Sequence, residues 1–417
     1  MVKKTVLDSG LVIISEYIPA FPSFALSYSL RTASREETRE NNGIFHFIEH
    51  MLFKGSEKYD MKKIADVSDR LGGQLNAFTG KEITQYYIKA IDEKLEESFD
   101  LLTDMVMKST FPEDEFLKEK HVLVQEINES EDNPDTHAFE TFYEDLFEDD
   151  GLGLPIAGKE EVVSTFKRDM VYDFYKQSYT PDNLVLAGVG NVKHDDLVRL
   201  ATAAFKAYPG RAAKEIVFTK PSFTFKQFCQ KNESLKQLYA ITGFAGLPSS
   251  HPLRHRFAIM NDILGGGMSS RLYQEIREEK GLAYTVSSFT DSYHDLGIQI
   301  IYSIVERDKV NEYLDAVANE CARLKKDGIT KAELDRSRDH IKASIILGME
   351  SSISRMRYHL NHELGLQREV PISEIVEDLN NTTVDDINQL FRDYMDLDNT
   401  AFFLYGDIDE DKLEIAN

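Results

Sequence analysis

The chain of 417 residues has only two cysteines, Cys229 and Cys321, far apart and outside any C-x-x-C pattern. A disulfide framework is not indicated, and a reducing cytoplasmic setting is expected. Long apolar runs are missing too, so no membrane span is expected. Lys3 and Lys4 stand near the N-terminus, but Asp8 and Glu16 interrupt any apolar stretch of the signal-peptide type. Basic residues are in short supply, with 48 Lys and Arg against 72 Asp and Glu, a formal net charge of −24. That balance argues against nucleic-acid binding and would attract basic peptides if some of the charge lines a cavity. Gly265-Gly266-Gly267 lacks the G-K-[ST] continuation of a phosphate loop.

What is present centres on Phe45-His46-Phe47-Ile48-Glu49-His50-Met51-Leu52-Phe53, an H-x-x-E-H sequence inside an apolar run. With no Gly or Pro to interrupt it, the run predicts a helix. His46 and His50 then lie one turn apart on one face, where two imidazoles can grip one metal ion. Glu49 stands beside them as a carboxylate able to reach a bound water, an arrangement that suits hydrolysis. The apolar neighbours imply a largely buried helix, in which unpartnered imidazoles would be costly.

Around the motif, strands are predicted within 11–31, followed by a helix over 61–71 and a strand pair at 74–79 and 84–90. Helices are predicted over 92–108, 112–132, 136–147, 160–179 and 193–206, with a buried strand at 184–189. Residues 208–222 have linker composition. The pattern then starts again, roughly 210 residues on. Phe45 to Gly55 lines up with Phe257 to Gly267, Ala77-Phe78-Thr79 with Ser288-Phe289-Thr290, and Tyr179 to Gly190 with Tyr394 to Gly406. Two homologous α+β domains follow, 1–207 and 223–417, each a mainly antiparallel sheet covered by helices. The repeat is also a control. Ala258, Asn261 and Asp262 replace His46, Glu49 and His50 while the apolar frame survives, so the fold does not demand the polar set.

A metal site with one open position needs a third protein ligand. Glu126, set among Val122, Leu123, Val124 and Ile127, is the best candidate; Glu119 lies two turns earlier on nearly the same face. One of them could bind metal while the other orients a ligand imidazole. Ordinary exposed charges on an acidic helix are the alternative. His121 competes as a ligand but lies on a different face from Glu126.

His46 through Gly55, Gly72-Gly73-Gln74-Leu75-Asn76-Ala77-Phe78-Thr79 and Val124-Gln125-Glu126-Ile127 together resemble the pitrilysin-type zinc metallopeptidases, in particular the bacterial homologues of the mitochondrial processing peptidase. The resemblance spans essentially the whole chain. It implies one Zn2+ per chain held by His46, His50 and Glu126, Glu49 as general base, and Glu119 in support of catalysis. It implies that the strand bearing Asn76, Ala77 and Phe78 binds peptide as an added strand. Gly265 to Tyr284 resembles the segment carrying the family's arginine–tyrosine pair, here Arg277 and Tyr284, implied to bind substrate and stabilise the reacting carbonyl. The long glycine-rich loop of the noncatalytic mitochondrial subunit is absent; only the three-glycine run stands here. The expected activity is endopeptidase cleavage of unfolded peptides in a chamber built by a homodimer. A noncatalytic scaffold subunit of the same fold and a peptide-binding protein without turnover are the rival readings.

Overall fold

Strands of alternating and fully apolar character build two sheets in a computed structural model, which describes residues 2–148, 150–213, 215, 220–409 and 413. The first sheet contains β1 (Val2–Val6), β2 (Val12–Tyr17), β3 (Ser23–Leu30), β4 (Gln74–Thr79), β5 (Thr84–Ile91) and β6 (Leu184–Gly190). Its order is β1-β2-β6-β3-β5-β4, and every pairing is antiparallel except β2 with β6. The second contains β7 (Gln227–Lys231), β8 (Gln237–Gly246), β9 (Ala283–Ser292), β10 (Gly297–Glu306) and β11 (Ala401–Gly406), in the order β7-β11-β8-β10-β9. There β11 runs parallel to β7 and the other pairs are antiparallel.

The closing strand of each half, β6 or β11, inserts between two earlier strands, and β4 and β9 stand at equivalent edges. β6 is buried along its whole length, which explains its unbroken Leu184-Val185-Leu186-Ala187-Gly188-Val189-Gly190 sequence. The fold is α+β, with helices laid on mainly antiparallel sheets.

The compact units are not contiguous in the chain. Met1–Glu131, Asp150–Val217 and Gly348–Glu369 form the first, and Asp132–Asp149, Phe218–Leu347 and Val370–Asn417 the second. Relative to the contiguous halves 1–207 and 223–417, each unit thus takes in a helix from the other. In the first, Ser352–Gly365 lays Met356 and Leu360 on Val12, Ile14, Ala25, Val185 and Val189. In the second, Pro134–Leu146 packs Phe142 against Phe228 of β7, at a ring separation of 6.4 Å. A Cβ on Gly243 would come within 2.6 Å of the Phe142 ring, so only glycine leaves room for this helix on β8. The reason is burial: each sheet has a second apolar face that needs a cover, and local periodicity does not say which helix supplies it.

The expected helix over 160–179 is two pieces, Glu160–Val163 and Arg168–Ser178. Of the expected linker 208–222, residues 214 and 216–219 lie outside the described residues. No helix among the described residues is long and apolar enough to cross a membrane.

Candidate metal centre

The motif forms a helix over Ile44–Leu52, as its unbroken apolar run requires, and buries Ile44, Phe45, Phe47, Ile48, Met51 and Leu52. Its start is set by two residues. Gly43 has φ 90°, and a Cβ there would meet the Ala157 carbonyl oxygen at 2.7 Å. Glu37 then accepts hydrogen bonds from the Gly43 and Phe45 backbone N–H groups at 2.8 and 2.9 Å. These are N-terminal donors that a helix cannot satisfy internally. Burial pushes the Glu37 pKa up to about 7 against the pull of those same bonds.

The one-turn spacing of the motif holds: the His46 and His50 rings are 4.7 Å apart on one face. Facing them is the helix Glu113–Asp132. His46 Nε2 lies 3.7 Å from Glu126 Oε1, and His50 Nε2 lies 3.5 Å from Glu126 Oε2. One ligand atom from each of the three residues falls within 4.8 Å of the others. Donors of a tetrahedral site with bonds of about 2.1 Å sit about 3.4 Å apart, so these distances suit a single zinc-sized ion. Two imidazoles and one carboxylate also leave a fourth position open.

The electrostatics match that donor set. Burial and then the neighbouring His50 lower the His46 pKa to about 4, so its imidazole is neutral at pH 7, the form that ligates metal. His46 Nδ1 is buried with no hydrogen-bond partner among the described residues. An imidazole desolvated without such compensation is costly, and engagement of the ring by a cation offsets part of that cost. The residues present therefore fit a zinc ion.

The two glutamates divide by depth. The Glu126 side chain is 47% exposed, whereas that of Glu119 is 6% exposed. The apolar neighbours of Glu126 in sequence thus do not bury it, because they turn to other sides of the helix. Glu119 Oε2 accepts from His50 Nδ1 at 3.1 Å, leaving Nε2 of that ring turned to Glu126. Burial alone would raise the Glu119 pKa, but the hydrogen bonds and charges of His50 and Lys54 outweigh it and hold the carboxylate below its usual range. His121 is exposed and lies outside the donor group.

Glu49 points elsewhere: its Oε2 accepts from the Thr79 hydroxyl at 2.6 Å, at the end of β4. Burial, chiefly, raises the Glu49 pKa against the lowering effect of that bond. A raised carboxylate pKa is what a general base near neutral pH needs. Asn76, Ala77 and Phe78 lie on β4, which among the described residues is hydrogen-bonded to β5 on one side only. In the second unit, Arg277 and Tyr284 come together, with the guanidinium 4.3 Å from the Tyr284 ring and 4.8 Å from the Tyr273 ring. Tyr284 is 78% exposed at the start of the edge strand β9.

The degenerate copy of the motif lies on the helix Arg254–Gly265. There Asn261 Oδ1 accepts from Ser288 Oγ and Gln299 Nε2, each at 2.8 Å, and Asp262 pairs with His340 at 2.7 Å. A cavity of about 320 Å³ lined by Arg254, Phe257, Ala258, Asn261 and Thr290 remains where the first unit carries its donor group. Three residues around the metal centre escaped sequence reasoning: Glu37, Lys54 and Thr79. Thr79 had one signal, its place at the end of the strand that returns beside the motif helix. The other two act through contacts between elements and left none.

A two-unit α+β fold with an H-x-x-E-H helix and a glutamate on a second helix defines the class of inverted-motif zinc peptidases. The chain belongs to peptidase family M16, the pitrilysin type. Residues 12–160 match the Insulinase (Peptidase family M16) domain and 165–341 the Peptidase M16 inactive domain. The second match covers the degenerate copy of the motif. The chain is 37% identical over 392 residues to the uncharacterized zinc protease YmxG of Bacillus subtilis, spanning 94% of this chain and 95% of the relative. It is 32% identical over 400 residues to an uncharacterized zinc protease of Streptomyces coelicolor, spanning 94% and 87%. A solved protease from Helicobacter pylori shares the fold with a TM-score of 0.90 at 21% identity, covering 97% of this chain and 99% of that one. A Peptidase M16 inactive domain from Pseudomonas fluorescens does so at 0.87 and 20%, covering 97% and 98%.

Proposed function

We propose that the chain is a zinc-dependent endopeptidase that hydrolyses unfolded peptides. The observation that carries this reading is the convergence of His46, His50 and Glu126 within 4.8 Å, beside a half-buried Glu49 and an edge strand, β4. His46, His50 and Glu126 would hold a zinc ion. When bound, zinc supplies Lewis acidity to the scissile carbonyl and lowers the pKa of a water at its open position. Glu49 takes a proton from the attacking water and passes it to the leaving amine. Thr79 holds the Glu49 carboxylate in place, and Glu119 holds the His50 ring in the tautomer that presents Nε2.

The peptide binds along β4 beside Asn76, Ala77 and Phe78, with main-chain hydrogen bonds that tolerate many side chains. Arg277 and Tyr284 donate to the developing oxyanion. The chain acts as a cytoplasmic homodimer whose two copies enclose the chamber, and the net charge of −24 favours entry of basic peptides.

The test is cleavage of a quenched peptide with and without chelator, with products identified by mass spectrometry for wild type and Glu49→Gln. Cleavage lost on metal removal and restored by zinc is expected. Activity that persists in metal-free protein overturns the mechanism. Mixing Glu49→Gln with Arg277→Ala chains tests the sharing of parts: recovered activity assigns Arg277 to the partner's metal centre, and no recovery in verified heterodimers assigns it to its own.

A further inference from the structure

We infer that Arg357 reads a carboxylate on the bound peptide and so determines specificity at the edge strand. The inference rests on the reading that β4 takes the peptide. Arg357 lies on the helix Ser352–Gly365, within the same compact unit as β4 and β5. Its guanidinium carbon stands 5.1 Å from the Phe78 ring centre and 5.6 Å from that of Tyr87.

Strand alternation gives this placement its meaning. On β4, Leu75 and Ala77 pack into the core that holds the motif helix, and Thr79 reaches Glu49. Gln74, Asn76 and Phe78 therefore face the other way, on the side where Tyr87 meets the helix Ser352–Gly365. A peptide added to β4 alternates in the same manner. Side chains that point toward Glu49 alternate with side chains that point toward Phe78 and Arg357.

Neighbouring arginines on this face have carboxylate partners. Arg355, two residues earlier on the helix, is tied to Glu16 at 2.6 Å, and Arg31 lies 3.6 Å from Glu363. Arg357 makes no hydrogen bond or ion pair among the described residues; its contacts are the two aromatic faces. Stacking occupies the face of the guanidinium and leaves its in-plane N–H groups to donate, in a fork that matches a carboxylate. Held by two rings, that fork loses little freedom on binding. Lys89, two residues beyond Tyr87 on β5, shares the face at the other end of the strand pair. Arg357 and Lys89 are thus cations on this face with no carboxylate partner among the described residues. The carboxylate is an acidic side chain next to the residue that faces Glu49, or the peptide's own C-terminus.

The experiment walks one glutamate along an otherwise neutral quenched peptide, with glutamine at each position as the partner. A second series compares free with amidated C-termini. Cleavage is read with the zinc-loaded wild type, Arg357→Gln and Arg357→Glu, and binding by fluorescence anisotropy in the Glu49→Gln background. At one register the wild type should prefer glutamate, or the free C-terminus, by about tenfold in kcat/KM and in affinity. That ratio should fall to about one in Arg357→Gln and invert toward a lysine peptide in Arg357→Glu. Equal handling of glutamate and glutamine peptides at every register and of both termini, or a preference that survives Arg357→Gln, overturns the inference. A binding preference without cleavage sustains the inference while sinking the peptidase reading, and cleavage without preference does the reverse. Peptides that neither bind nor are cut overturn both.

Discussion

Lys54 Nζ donates to Glu119 Oε1 across 2.7 Å, while the other oxygen of that carboxylate accepts from His50. A residue one turn past the motif thereby fixes the ring of a metal-ligand candidate through a third side chain. Without the lysine, Glu119 would be a buried carboxylate with one partner fewer and a looser hold on His50. In Lys54→Met, zinc affinity should fall by about tenfold or more, the size of effect typical of groups behind the ligands. Competition with a chromophoric chelator measures it, and an unchanged dissociation constant refutes the linkage.

Glu49 and its hydroxyl partner Thr79 should separate chemistry from metal binding. In Glu49→Gln, kcat should fall by about 10²-fold or more with zinc content unchanged, because Glu49 lies outside the donor group. Thr79→Val leaves the carboxylate but removes the 2.6 Å bond that orients it, so a smaller loss in kcat is expected. Steady-state kinetics beside metal analysis of the same samples decides.

Ligation of native but not unfolded protein should stabilise the fold. At zinc a thousandfold above its dissociation constant the gain is about 4 kcal/mol, visible as a rise of several degrees in the melting temperature of the first unit. His46→Ala should abolish that rise. Scanning calorimetry with and without zinc is the check.

Away from the metal centre, Glu16 accepts from Arg355 at 2.6 Å and pairs with His359 at 2.9 Å. Burial opposes its ionisation most, yet these two partners outweigh burial and bring its pKa down to about 2. A depressed folded-state pKa means stability that is full above the unfolded carboxylate value of about 4.3 and lost as pH falls toward 2. Glu16→Gln should cost about 1–2 kcal/mol at pH 7, after solvent screening is allowed for, with the gap to wild type closing between about pH 4 and pH 2. Urea denaturation at pH 7 and pH 3 tests both halves of the statement.

The exchange of helices between the halves has its own test. Met356 comes from the second half of the sequence but is fully buried on the first sheet. Met356→Ala should destabilise the unit that holds the metal centre by about 2–5 kcal/mol. Urea denaturation followed by hydrogen exchange of β2 and β6 reads that out, and a loss confined to the second unit would contradict the assignment.

Much of the fold and of the metal centre was legible because its signals are local. A run without Gly or Pro makes the motif helix, and a spacing of four puts His46 above His50. The strand pair expected at 74–79 and 84–90 shows in its flanking glycines and its short turn. The degenerate copy at Phe257 to Gly267 marked the polar set as unneeded by the fold. Depth along the helix Glu113–Asp132 was less legible. Glu126 has apolar sequence neighbours yet is the more exposed glutamate, because sequence adjacency on a helix does not mean a shared face.

By itself, then, the sequence determined the secondary structure around the motif, the duplicated plan and the chemical types in the candidate donor set. Those follow from short-range sterics and from periodicity, which each segment carries within itself. Only the tertiary structure decided that Lys54 holds Glu119, that Thr79 holds Glu49, that Glu37 starts the motif helix, and that Arg357 stands over Phe78. All but the Glu37 contact, which spans six to eight residues, join residues distant in the chain, and their geometry is set by how sheets bury their apolar faces, a property of the packed whole.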